Sequence, residues 1–295
     1  MKASLSNSEL ILNADGSIYH LNLLPEDISS IIITVGDPER VPEVSKYFDS
    51  IEIRKGKREF VTHTGIYAGK RITAISTGIG TDNIDIVFNE LDALANIDFD
   101  SRDTKSEKIQ LSFIRIGTSG SIQPDIPIDT FLMSSSGIGF DNLLHFYESE
   151  HIKNTALELA LHDHLGWEQH NIHPYAVDFD KELGDIFDSN RIRLGATCTN
   201  SGFYGPQGRT LRLKPSLKDF NEKLAQFSHK NLRITNLEME TAGIYGLAKL
   251  LGHRAVSLNA ILANRVTGEF SEQGHKTVDE LIQYTLNCIA NSRLV

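Results

Sequence analysis

Two arginines stand beside glycine turns in this 295-residue chain, where charge and close backbone approach could together hold an anion. The first, Arg115, interrupts the apolar run Phe113-Ile114-Arg115-Ile116, which continues as Gly117-Thr118-Ser119-Gly120-Ser121. A guanidinium stays charged, so placing it in a strand covered on both faces is costly unless a carboxylate or a bound anion compensates it. Glycines, exposed N–H groups and the hydroxyls of Thr118 and Ser119 suit an anion, and residues 115–120 read as the floor of such a site. A structural carboxylate paired with Arg115 is the competing reading. The second, Arg40, ends Gly36-Asp37-Pro38-Glu39-Arg40, a tight strand-to-helix turn. Asp37 is placed to cap the helix, Pro38 to open it, and Gly36 to allow close approach, so free N–H groups and Arg40 converge. An ordinary turn with Arg40 on a solvated face is the alternative.

Two further stretches suit a flat ring and a sugar. Phe203-Tyr204-Gly205-Pro206-Gln207-Gly208-Arg209 combines aromatic faces with a Gln and an Arg two residues apart, a set able to hydrogen-bond an amide-like heterocycle. Glu238-Met239-Glu240 precedes an apolar helix. Its carboxylates could cap that helix or grip sugar hydroxyls.

The elements that must carry these groups follow from periodicity. Residues 31–35 read as a buried strand, 60–76 as a hairpin turning at Tyr67-Ala68-Gly69-Lys70, and 84–95 as an amphipathic helix behind the glycine turn Thr77–Asn83. That turn lacks the dinucleotide and Walker A spacings. Strands are expected over 130–135, 191–197 and 255–263, and helices over 151–166, up to residue 251, and over 276–290. The basic cluster Arg54, Lys55, Lys57 and Arg58 reads as a solvated sheet edge. Residues 1–28 are polar and irregular, and His20 there reads by default as a surface residue. Residues 97–109 read as a mobile surface loop, and 266–276 as either a lid or a plain surface loop. In open α/β sheets ligands collect at the carboxyl ends of strands, where the arginine and glycine motifs fall.

Composition narrows the partners. Hydrophobic residues make up 40% and charged residues 23%, and the net charge of -10 argues against nucleic acid and membrane surfaces, which are themselves polyanions. A local arginine cluster can still hold a small anion. Cys198 and Cys288 form no disulfide framework, redox motif or thiolate zinc site, and both read as buried apolar fillers. Residues 1–14 show no signal-peptide hydrophobic region and no apolar run nears membrane-spanning length, so a cytoplasmic location is expected.

Taken in order, Gly36-Asp37-Pro38-Glu39-Arg40-Val41, Arg58-Glu59-Phe60, Ser76-Thr77-Gly78-Ile79-Gly80, Arg115-Ile116-Gly117-Thr118-Ser119-Gly120, Phe203-Tyr204-Gly205-Pro206-Gln207-Gly208-Arg209 and Glu238-Met239-Glu240 resemble the nucleoside phosphorylase family, over roughly residues 18–291. The resemblance implies one α/β domain across residues 1–295, with a mixed, distorted central β-sheet surrounded by helices. Residues 1–17 would be loosely ordered and 97–109 a surface insertion. It implies a homodimer or a hexamer of three dimers, with sites shared across the dimer interface. The implied reaction is reversible phosphorolysis of a nucleoside to ribose 1-phosphate and free base, with inorganic phosphate as co-substrate, no cofactor and no metal.

Residue roles carry over from the same resemblance. The Gly36 backbone, Arg40, Arg115 and Thr118 would hold phosphate, with Arg58 reaching in from a neighbouring subunit. Thr118, Met239 and Glu240 would hold the ribose, closed by His20 of the neighbouring subunit. Gly120, Phe203, Gln207 and Arg209 would hold the base, Gln207 and Arg209 reading the carbonyl and imide edge of uracil. The implied catalytic residues are Arg115, Glu240, Gln207 and Arg209: phosphate attacks C1′ while Arg209 and Gln207 stabilise the charge on the departing base. A purine-acting member would be expected to carry an Asp near the end of the last strand. Here Asn264-Arg265 stands there, so the pattern favours a pyrimidine nucleoside, uridine. Some relatives hold potassium between subunits at positions matching Glu59, Ile79 and Asn83, but Asn83 replaces their serine and no ion is assigned. The alternatives are another nucleoside, purine or deoxypyrimidine, a hydrolytic reaction, or a non-catalytic nucleoside-binding or storage relative. The presence of Arg40, Arg58, Arg115 and Glu240 argues against the last two.

Overall fold

A computed structural model describes residues 4–167 and 172–294 of the chain. The apolar run Ile31–Val35 forms strand β1, buried along its whole length. After a six-residue helix, α1 (Arg40–Ser45), the basic cluster lies mostly in β2 (Ser50–Lys57), whose one partner among the described residues is β3 (Phe60–Tyr67). β2 is thus a sheet edge, and its charged side chains oppose further pairing. β3 turns into β4 (Lys70–Ser76) through Ala68 and Gly69, at φ of 47° and 77°, the backbone twist of a two-residue hairpin. Helix α2 (Thr81–Asn96) follows the glycine turn, and β5 (Ile97–Asp98) with β6 (Asp103–Thr104) forms a small hairpin.

The arginine-bearing strand is β7 (Ser112–Ser121), followed by β8 (Phe131–Gly139), α3 (Thr155–Leu165), β9 (Tyr175–Asp178) and α4 (Lys181–Asp185). Next come β10 (Ile192–Thr199), α5 (Phe220–Gln226), β11 (Ser228–His229), β12 (Leu232–Glu238) and α6 (Thr241–Leu251). β13 (Arg254–Asn264), β14 (Glu269–Phe270) and α7 (Gly274–Asn291) complete the order.

Twelve strands form one mixed sheet in the order β11-β12-β10-β8-β13-β7-β1-β4-β3-β2, with β9 added to β8 and β14 to β13. β7 also pairs with β12, through Gly120 with Leu237 and Ser121 with Asn236. The strands β7, β13, β8, β10 and β12 therefore close into a ring. A strand shared in this way must bend, and register shifts at Gly195/Ala196, Ala196/Thr197 and Ile261/Ala263 supply the bends. Helices α2 and α6 cover one side of the sheet with Phe88, Leu91 and Tyr245. On another side α1 and α7 bury Val41, Val44, Leu281 and Leu286 against β1 and β13, and α3 and α5 bury Leu161 and Leu224 over β10 and β12. The result is one α/β domain with a mixed, distorted central sheet wrapped by helices, the architecture the motifs implied.

Several local expectations need correction. β7 does not end at its first glycine: Gly117 to Ser121 stay in the ladder with β13, so these residues form strand and not a loop. Gly117 is required because a Cβ there would collide with the guanidinium of Arg115. Helix α1 opens at Arg40, two residues later than expected, since the N–H groups of Arg40 and Val41 close tight turns onto Asp37 and Pro38 and delay the α-ladder. Residues 97–109 contain the β5–β6 hairpin, whose Arg102 donates to the carbonyls of Leu5, Ser6 and Leu10. The N-terminal stretch is therefore tied down from residue 5, with Leu10 and Ile18 buried; residues 1–3 lie outside the described residues. Residues 266–276 are a hairpin through β14 running into α7, not an open loop. Cys198 is buried, which pushes its thiol well up, while Cys288 is only half-buried. No helix of the described residues is long and apolar enough to cross a membrane.

Candidate active site

The carboxyl ends of β1, β4, β7, β12 and β13 surround a cavity of about 740 Å³. It brings together Gly36, Arg40, Arg115, Thr118, Gly120, Phe203, Gln207, Arg209, Met239 and Glu240, ten of the twelve residues singled out in the sequence. A larger hollow of about 1090 Å³ beside α4 and α7 contains none of them.

Arg115 is buried at the floor, and both of its terminal nitrogens have partners. Nη2 donates to Glu240 Oε2 at 2.6 Å and lies 3.1 Å from Glu238 Oε2, while Nη1 donates to Asn259 Oδ1 at 2.9 Å. Burial opposes the charge on Arg115, and Glu238 and Glu240 more than offset it. The two carboxylates are not equivalent. Glu238 Oε2 accepts the N–H groups of Glu240 and Thr241 at 2.9 Å each, and Oε1 accepts the Thr199 hydroxyl at 2.6 Å, so Glu238 caps α6. Glu240 instead accepts the Gly80 N–H at 2.8 Å and the shorter contact from Arg115; both carboxylates line the cavity. Burial raises its carboxyl above the usual range, Arg115 pulls it back, and Glu238 raises it again.

Arg40 is the contrasting case. Its guanidinium is half-buried in the cavity wall with one hydrogen bond, Nη1 to the Ile116 carbonyl at 3.3 Å, and no carboxylate within ion-pair distance among the described residues. Burial first, then the neighbouring charge of Arg115, lowers its proton affinity. A cation left in that position is a site for an anion, and Gly36 and Thr118 line the same cavity.

Phe203, Gln207 and Arg209 group together in the cavity wall, an aromatic face beside an amide and a guanidinium. Arg209 lies over the Phe203 face at 3.6 Å and donates from Nη1 to the Phe203 carbonyl at 2.7 Å and to Gln207 Oε1 at 2.5 Å. Burial, then the charge of Arg265, pushes Arg209 down to about 10, which leaves it charged at neutral pH. Gln207 is buried, with Nε2 donating to the Glu238 backbone carbonyl at 3.3 Å and its backbone carbonyl accepting from Arg265 at 3.1 Å. Asn264 is spent on the fold: Nδ2 donates to the carbonyls of Gln123 and Ile126, and Oδ1 accepts the N–H groups of Val266 and Thr267.

His20 and Arg58 do not line the cavity of their own chain. They lie elsewhere, both near Tyr19, whose ring is 4.8 Å from that of His20 and 6.0 Å from the Arg58 guanidinium. Glu59, Ile79 and Asn83 do line the cavity, at its mouth. The sequence reasoning missed the Gly80 N–H that fixes Glu240, the grip of Arg265 on Gln207, and the apolar wall of Leu262, Ala263 and Phe270. The glycine turn and the Asn264-Arg265 pair were visible signals for the first two. Nothing local marked the wall.

The family described as "Phosphorylase superfamily" matches residues 30–290 of the chain. The uridine phosphorylase of Thermococcus kodakarensis is 32% identical over 268 residues, covering 89% of this chain and 83% of that protein. A DeoD-type purine nucleoside phosphorylase of Shewanella denitrificans is 26% identical over 271 residues, covering 91% of this chain and 96% of that one. Among solved structures, a Trypanosoma brucei nucleoside phosphorylase described as showing uridine phosphorylase activity superposes with a TM-score of 0.86 at 27% identity, over 96% of this chain and 100% of that chain.

Proposed function

The chain belongs to the phosphorylase superfamily and is a nucleoside phosphorylase, a pentosyltransferase; from that premise we propose that its substrate is uridine, cleaved reversibly by phosphate to uracil and ribose 1-phosphate. The observation that carries the reading is Arg40, a half-buried cation with no carboxylate partner among the described residues, sharing a cavity with the Gln207–Arg209 pair. A site with an unmet anion demand at one end and an imide-reading pair at the other matches phosphate and a pyrimidine.

The chemistry needs no side-chain nucleophile. Arg40, the Gly36 backbone, Thr118 and the donors that Arg115 has left hold phosphate beneath the sugar, while Met239 packs on the ribose and Glu240 takes its hydroxyls. As the bond from C1′ to the base nitrogen lengthens, its electron pair leaves with the base and C1′ becomes oxocarbenium-like. A phosphate oxygen stabilises that centre and then bonds to it. The negative charge on the pyrimidine oxygens is met by Arg209 and the Gln207 amide until the base nitrogen takes a proton. Phe203 and Gly120 form the slot for the ring. His20 and Arg58, both near Tyr19 and outside their own cavity, complete the sugar and phosphate ends from a second copy, which makes the working unit at least a dimer. Inorganic phosphate is the co-substrate and no cofactor takes part.

The test is uridine consumption by the purified protein, followed by absorbance and chromatography with and without phosphate, alongside thymidine and inosine. Phosphate-dependent uracil release, fastest with uridine, is expected. Release of base without phosphate would mean a hydrolase, and a preference for inosine would move the protein to the purine branch.

A further inference from the structure

The ring of His20 is not loose on the surface: Glu90 of α2 takes hold of it. The Glu90 carboxylate accepts the backbone N–H of His20 at 3.1 and 3.0 Å and that of Leu21 at 2.9 Å, and it meets His20 Nδ1 at 2.5 Å. A carboxylate that accepts two backbone N–H groups in this way has only acceptor oxygens to offer the ring, so Nδ1 carries the proton. Nε2 makes no hydrogen bond among the described residues, and the side chain keeps 24% of its exposure. The arm that carries His20 is fixed independently. Lys57 Nζ donates to Asn13 Oδ1 at 3.0 Å and to the Tyr19 carbonyl at 2.5 Å, and Arg102 holds the arm's start through three carbonyls.

We propose that Glu90 is a positioning residue: by holding the proton of His20 on Nδ1, it presents Nε2 as an acceptor to a sugar hydroxyl of the nucleoside bound in a second copy of this chain. This rests on the phosphorolysis reading and on His20 reaching a neighbour's cavity. A carboxylate such as Glu240 suits the adjacent 2′ and 3′ hydroxyls, which leaves the 5′ hydroxyl, a donor at the opposite end of the sugar, for an imidazole nitrogen with a free lone pair.

Steady-state kinetics of Glu90→Gln and Glu90→Ala on uridine and 5′-deoxyuridine test this, together with ¹⁵N NMR of the His20 ring assigned through His20→Asn. The expected result is a KM for uridine raised about three- to tenfold, the scale of one neutral hydrogen bond, with kcat near wild type. On 5′-deoxyuridine, variants and wild type should share one KM, and the wild-type ring should be protonated on Nδ1. A wild-type ring protonated on Nε2 overturns the proposal. So does an unchanged KM for uridine, or an equal rise on both substrates, which would make Glu90 a mere structural support. Absence of phosphate-dependent turnover in the wild type would fail the functional reading first, and it would show before any Glu90 variant is made.

Discussion

Arg115 and Glu240, 125 positions apart, meet at 2.6 Å through Nη2 and Oε2 in the buried floor of the cavity, with Glu238 3.1 Å from the same nitrogen. On the proposed function the pair joins the phosphate end of the site to the ribose end, so a change at either residue disturbs both.

Removing one member of a buried, hydrogen-bonded ion pair leaves the other uncompensated, at a cost of about 3–5 kcal/mol. Arg115→Ala should lower the unfolding free energy in urea by that order and abolish turnover. Arg115→Met combined with Glu240→Gln should recover much of the stability and none of the activity. A loss of stability no larger than the roughly 1 kcal/mol of an exposed pair would show that the cluster is not the buried network described.

Arg40 predicts the opposite sign. Its guanidinium has no carboxylate to lose, so Arg40→Gln should leave the melting temperature unchanged or higher while raising KM for phosphate by about tenfold or more, the scale of charge-assisted contacts. A fall in melting temperature together with an unchanged phosphate KM would remove Arg40 from the anion site.

Arg209 donates to Gln207 Oε1 and stacks on Phe203, so it orients the amide beside it and, on the proposed function, reads the base. Arg209→Ala should lower kcat/KM for uridine by about 10- to 100-fold, while phosphate still protects the protein against heat. Equal loss of both properties would take Arg209 out of the base end.

Arg58 and Arg209 belong, on this reading, to different copies of each site. Mixing Arg58→Ala subunits with Arg209→Ala subunits should therefore restore activity to about a quarter of wild type, since half of random dimers carry one intact site. Each homodimeric variant should be nearly inactive by itself. A mixture no more active than its components would show that Arg58 serves no neighbouring site.

Asp141 gives a pH dependence. Tyr175 donates to both of its oxygens at 2.9 Å, yet burial holds the carboxyl above the ordinary aspartate value of 3.8. A raised carboxyl pKa means that the folded state binds the proton more tightly than the unfolded chain. Its contribution to stability is thus full below the unfolded value and lost as pH rises through the folded one. Asp141→Asn removes that loss, so the stability of the variant relative to wild type, from urea unfolding, should rise from about pH 4 towards pH 7. A difference that stays flat would mean that Asp141 titrates as it does in the unfolded chain.

What could be read in the chain itself was whatever depends on neighbours in sequence. β1, the hairpin turning at Ala68-Gly69, α6 and α7 each carry their pattern within a few residues, because side-chain period and turn conformation are local properties. That Arg40, Arg115, Gln207 and Arg209 mark one site was legible for a related reason: a charged or amide side chain beside glycines is anomalous wherever it ends up, and all four line one cavity. The strands β9 and β12 and the helix α5 were missed, since their burial is set by partners far away in the chain.

Only the folded chain shows that Arg115 meets carboxylates, Glu238 and Glu240, and that those two carboxylates differ. Glu238 and Glu240 look alike in sequence, but the N–H groups at the start of α6 fall on one and the Gly80 turn on the other. The same holds for Gly117, whose glycine reads as a loop signal and is instead the space that the Arg115 guanidinium occupies inside a continuing strand. Residue types and local periods determined the inventory of charges, rings and turns. Which of them face each other, and which charge is left without a partner, was decided by the closure of β7 onto β12 and β13, a long-range pairing that no local pattern encodes.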